Sequence, residues 1–152
     1  MDKPLQEVLN VDTAWWRALG SAVIRAIKEL TDGGEGVDGK FPAYTPDYRE
    51  RKSTGHPKIR RQADFSSSPN LRLTGDMMND LQQTEVSGDG VTIGWPSQGG
   101  KMKYNAEMGR AISTKEKPLA PSVALMVEKR YKQEIDRRLA DARFDRSVIL
   151  GK

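Results

Sequence analysis

Six cationic side chains crowd into the thirteen residues from Arg49 to Arg61: Arg49, Arg51, Lys52, Lys58, Arg60 and Arg61, against the single acid Glu50. Cations at this density neutralise phosphates with release of counterions, or dock on an acidic protein surface; residue types alone leave both partners open. Helix-turn-helix spacing, zinc-finger ligands and the aromatic-rich RNP1 pattern are absent. A second cationic group, Lys129, Arg130, Lys132, Arg137 and Arg138, is partly balanced by Glu128, Glu134 and Asp136 at helical spacings and reads as a solvated helix face.

Other suggestive patterns fail on spacing or context. Gly34-Glu35-Gly36-Val37-Asp38-Gly39 spells G-x-G-x-x-G, but a helix precedes it, Phe41-Pro42 follows, and Asp32, Glu35 and Asp38 would repel a pyrophosphate. Those acids also lack the alternating spacing and closing glutamate of a calcium loop. From Gly94 to Lys101 the lysine comes one place late for a phosphate loop, and Met102 follows it. The chain has no cysteine and one histidine, His56, which sits in a Gly-Pro turn with no nucleophile elbow or orienting acid nearby. Glu107 and Glu116 read as solvated charge. The sequence thus predicts no catalytic, metal or cofactor site and no enzymatic activity.

The elements that would carry these residues follow from periodicity. Asp12 and Thr13 offer an N-cap, and Trp16, Leu19, Val23, Ile27 and Leu30 recur at three and four, predicting a helix over 13–30 that stops at Gly33-Gly34. Trp15 and Trp16 cannot both face the core, so one belongs at an edge or interface. Pro4 to Leu9 suits a turn of helix. Residues 32–70, rich in glycine and proline and without a sustained apolar period, read as a long irregular arm. Phe41, Tyr44 and Tyr48 are its candidate anchors, with Ile59 and Phe65 as further apolar surface. Leu71, Leu73, Met77, Met78 and Leu81, capped by Thr74, predict a short helix. Thr84–Ser87 and Val91–Trp95 around Gly88-Asp89-Gly90 predict a hairpin, with a third strand at Met102 and Tyr104. After a polar loop over 110–120, Pro121 opens a helix with the stripe Val123, Met126, Val127, Tyr131, Ile135, Leu139 and Ala142, ending near Arg143. Residues 144–152 are left as a flexible tail bearing Val148-Ile149-Leu150.

The result is one α+β domain over 1–152, with terminal amphipathic helices on a small antiparallel sheet and a long arm. Its mean hydropathy of -0.69 and pI near 9.4 suit a polar basic domain. The net charge of +4 is segregated, at -3 over 1–48, +5 over 49–61, -4 over 62–100 and +6 over 101–152. Opposite-signed faces of this kind steer charged partners or dock copies of the chain. No apolar run is long enough to span a membrane, and Asp2 and Glu7 do not suit a secretory leader.

In order along the chain come Phe41-Pro42-Ala43-Tyr44-Thr45-Pro46-Asp47-Tyr48 with Arg51-Lys52, Leu71-Arg72-Leu73-Thr74-Gly75-Asp76-Met77, Val91-Thr92-Ile93-Gly94, Tyr104-Asn105-Ala106-Glu107-Met108-Gly109 and Lys117-Pro118-Leu119-Ala120-Pro121-Ser122. This series, spanning about 41–143, resembles the virion morphogenesis proteins of tailed bacteriophages, small tail-completion or head-tail joining subunits. Two landmarks depart from the family pattern. Tyr104 to Gly109 lacks the usual histidine, and Lys117-Pro118 stands for arginine-proline.

The resemblance implies a structural virion protein, made in the host cytoplasm. It would form a homo-oligomeric ring in the neck or at the head-proximal end of the tail, six copies being favoured over twelve. Expected partners are further copies, neighbouring neck, connector or tail-terminator proteins, and genomic DNA in the lumen. No cofactor or membrane is implied. The arm's cations would meet either an acidic ring or DNA, with Phe41, Tyr44 and Tyr48 holding the arm. The alternative from another class is a small basic nucleic-acid-binding regulator.

Overall fold

The computed structural model describes residues 9–150 except 73, with side chains up to Ala142. The turn of helix expected at 4–9 and the apolar contribution of Leu73 lie largely outside those residues. Helix α1 (Thr13–Asp32) begins where Asp12, in extended backbone, accepts the Trp15 amide at 2.7 Å. It ends at Gly33, whose amide returns to Glu29 and Thr31. Its buried stripe, Leu19, Gly20, Val23, Ile27 and Thr31, is the three-four spacing of one helix face.

That face lies on a hairpin of β3 (Gln82–Val86) and β4 (Val91–Gly94), antiparallel with an irregularity between Gln83 and Glu85. Gly20 permits the close approach, since a Cβ there would stand 2.8 Å from the Gln83 side chain and 2.9 Å from Val91. Gln83 Nε2 donates to the Arg17 carbonyl at 2.9 Å and Ser21 Oγ at 3.0 Å, and the Trp16 indole donates to Gly88 O at 2.9 Å. The hairpin is thereby pinned to the first half of α1 both near its base, at Gln83, and at its turn, at Gly88.

Helix α5 (Pro121–Leu150) packs against α1. Tyr131 stacks on Trp16 at 5.9 Å and meets Trp15 edge-on at 6.0 Å. Farther along, Glu134 accepts from Arg137 and Arg138, and Arg138 reaches the Asn10 carbonyl at 2.6 Å and Asp12 at 3.3 Å. These bonds staple α5 to the start of α1. The paired guanidinium of Arg137, with that of Arg138, outweighs the burial of the Glu134 carboxyl and holds its pKa at about 2.

The core joins Leu19, Val23 and Ile27 to Val37, Phe41, Met77, Met78, Leu81, Met102, Ile112 and Val123, and the architecture is α+β. Three expectations change in detail. Met102 and Tyr104 belong to helix α4 (Gly99–Glu107), not to a third strand, because two alternating apolar residues carry too little period to separate strand from helix. The short helix α3 shrinks to Asp76–Asn79, with left-handed Gly75 rather than Thr74 at its cap. The backbone of α5 continues helical to Leu150 through the predicted tail.

The arm over 32–70 is also more ordered than its composition predicts. It opens with a small hairpin, β1 (Glu35–Gly36) and β2 (Gly39–Lys40), followed by helix α2 (Pro46–Thr54). Its longest stretch free of helix and strand is Gly55 to Asn70. The start of α2 has a cap signal, Thr45 accepting the Tyr48 amide at 3.3 Å with Pro46 behind it, but its residues are too polar to show an apolar period.

Candidate partner-binding arm

The centre of the arm is Lys52, which has no exposed surface. A buried ammonium requires both a counter-charge and oxygen partners, and the loop after α2 supplies them. Lys52 Nζ pairs with Asp64 Oδ2 at 2.7 Å and donates to Asn70 Oδ1 at 2.7 Å and Ser68 O at 3.3 Å. The Tyr44 ring lies 5.2 Å from the same nitrogen. Lys52 is therefore not the partner contact its place in the basic run suggests: it faces inward from α2, and the chain wraps around it.

The wrapping loop is built from repeated side-chain turns. Asp64 Oδ1 accepts the Ser66 amide at 3.2 Å, Ser66 Oγ accepts the Ser68 amide at 3.1 Å, and Asn70 Oδ1 accepts the Arg72 amide at 3.1 Å. Gln62 donates to the carbonyls of Lys52 and Asp64 and accepts the His56 amide at 2.7 Å. Burial opposes the ionised form of Asp64, but hydrogen bonds from Lys52, Asn70 and the Ser66 amide prevail and hold its pKa below the ordinary value.

The three expected anchors differ in their surroundings. Phe41 is in the core, its amide donating to Gly34 O at 2.7 Å. Tyr44, half-buried, accepts the Leu71 amide on its hydroxyl at 3.1 Å, and Tyr48 meets its ring edge-on at 4.8 Å. Burial raises both phenol pKa values. Sequence reasoning missed Arg110, which donates to the carbonyls of Pro42 and Ala43 at 3.2 and 3.1 Å and lies over the Tyr44 ring at 4.9 Å. Asp64, Gln62 and Asn70 were missed too, although Asp, Ser and Asn two residues apart are a legible turn signal.

The remaining cations are exposed. Arg51 is held by Asp47 at 2.9 Å along α2. Arg49, Lys58, Arg60 and Arg61 have no ion-pair partner among the described residues. His56 is a loop residue whose Nδ1 accepts the Lys58 amide at 3.3 Å.

The glycine-rich motif at 34–39 forms the β1-β2 hairpin. Gly36 lies so close to Ala111 O that a Cβ there would clash, and the Val37 amide donates to that oxygen at 3.0 Å. Among the described residues no group of three or more metal-ligating side chains is gathered. No described helix is long and apolar enough to cross a membrane. Neither family models, curated proteins nor solved structures provide a match to this chain.

Proposed function

We propose that the chain is a structural assembly subunit of a tailed phage, a ring protein of the neck or tail top that completes the tail and joins it to the head. One observation carries the reading toward docking: the arm is closed on itself around Lys52 and tied to the body through Phe41, Tyr44 and Arg110, while Arg49, Lys58, Arg60 and Arg61 remain free of ion pairs among the described residues. A prepositioned set of cations binds without the cost of ordering a loop. The family-like segments fall on defined elements or directly before them. Leu71 to Gly75 leads into α3, Val91 to Gly94 is β4, and Lys117 to Ala120 precedes α5. Phage origin rests on that collinear resemblance alone.

The test is complementation of a phage lacking the gene with the wild-type chain or with Arg49, Lys58, Arg60 and Arg61 all changed to Gln. Filled heads and free tails accumulating side by side with the variant are expected; normal infectivity overturns the docking role. Infective particles without any copy of the gene overturn the assembly reading itself. Duplex-DNA affinity falling with salt at a log-log slope of about -3.6, the value for four neutralised phosphates, would then favour a nucleic-acid-binding regulator.

A further inference from the structure

Between α1 and α5 runs a furrow whose two halves differ in charge. Toward the start of α1 it is lined by Lys129, Arg130, Glu134 and Arg137, cationic on balance, beside Trp15 and Met126. Toward the end of α1 it becomes an apolar groove of about 390 Å³, floored by Ala26, Leu30, Val123 and Met126, with the carboxylates Glu29 and Glu35 in its lining. Neither carboxylate has an ion-pair partner among the described residues. Leu125, beside Met126 on α5, is 66% exposed. An apolar floor next to uncompensated carboxylates suits an apolar segment bracketed by cations.

The chain contains such a segment. Residues 143–152 read Arg-Phe-Asp-Arg-Ser-Val-Ile-Leu-Gly-Lys, placing Phe144, Val148, Ile149 and Leu150 among Arg143, Arg146 and Lys152. The segment cannot reach its own groove while α5 is intact. Met126 and Val148 are on one continuous helix, and at about 1.5 Å per residue they are roughly 33 Å apart along its axis. Residues 1–8 are poorer occupants, because Asp2 and Glu7 outnumber Lys3 and would face like charges.

We propose that residues 143–152 of one copy dock in the Ala26-Leu30-Val123-Met126 groove of a second copy, their cations meeting Glu29 and Glu35. Donor and acceptor surfaces lie on different parts of the chain, so the contact is heterologous. It builds a closed ring where the rotation closes and an open chain where it does not. The inference does not depend on the phage assignment or on the basic arm.

The test is sedimentation of the full-length chain, alone and with charge reversals at either side of the contact. The wild type should associate with rising concentration. E29K/E35K and R143E/R146E, each checked for folding by circular dichroism, should each associate at least about tenfold more weakly. Mixing the two variants should restore association, because each groove then meets a tail of opposite charge. A wild-type monomer at all concentrations, variants that associate like the wild type, or a mixture that stays dissociated would each overturn the proposal.

Should a reversed variant not fold, the absence of cysteine offers a second measurement. Ala26→Cys mixed with Ser147→Cys should form an inter-copy disulfide on oxidation, and its absence overturns the contact. Crosslinking of Glu29 to residues 1–8 of the same copy would show the groove self-covered and overturn it as well.

Discussion

Lys52 is fully buried, and oxygens from three residues surround its side-chain nitrogen. Removing the ammonium leaves Asp64 and Asn70 facing an apolar stump, and breaking a buried pair in this way costs about 3 kcal/mol. Lys52→Met should lower the urea midpoint accordingly; an unchanged midpoint would show that the loop stands without it. Glu134 sets a pH dependence. Its native pKa lies at about 2 against an ordinary 4.5, so its contribution is complete above that ordinary value and disappears as pH falls through about 2. Glu134→Gln should therefore flatten the acid end of a stability-pH profile, with the wild-type and variant curves converging toward pH 2. Asp64, also depressed, acts with the same sign on the arm.

Among the elements, the junction around α4 depends on one carboxylate. Gln98 caps α4 without a side-chain bond, whereas Asp80, at the end of α3, accepts the amides of Ser97 and Gln98 at 2.9 and 2.8 Å. The hairpin is thus clamped at its base, and Asp80→Ala should cost about 1 kcal/mol, as losing a helix cap does, read as a lower melting temperature. The elements with an apolar period, α1 above all, then the first half of α5 and β4, are legible in the sequence because burial itself writes that period. α2 is not, since the side chain it buries is a lysine. Nothing in Arg49 to Arg61 distinguishes Lys52 from its neighbours; only the distant Asp64 and Asn70 do, and a contact across twelve or more residues leaves no local spacing.

On the scale of the molecule, charge is divided between structure and display. The ion pairs of Lys52 and Arg138 lie within the fold, while Arg49, Lys58, Arg60 and Arg61 stand outside it. Changing those four to Gln should move each substitution's stability by no more than about 0.5 kcal/mol, the usual range for surface positions away from caps and buried pairs. The same variant should leave a cation-exchange column at lower salt. A large fall in melting temperature would mean instead that the cations support the arm, and it would undercut the docking proposal.

The buried amine of Lys52 has a chemical consequence as well. An acylating reagent needs an accessible amine, and Lys52 offers none while the loop is closed, whereas Lys58 stands in solvent six residues away. The ratio of modification at these two lysines therefore measures how much of the population has its arm undone, with the protein carrying both probe and internal standard on a single tryptic map.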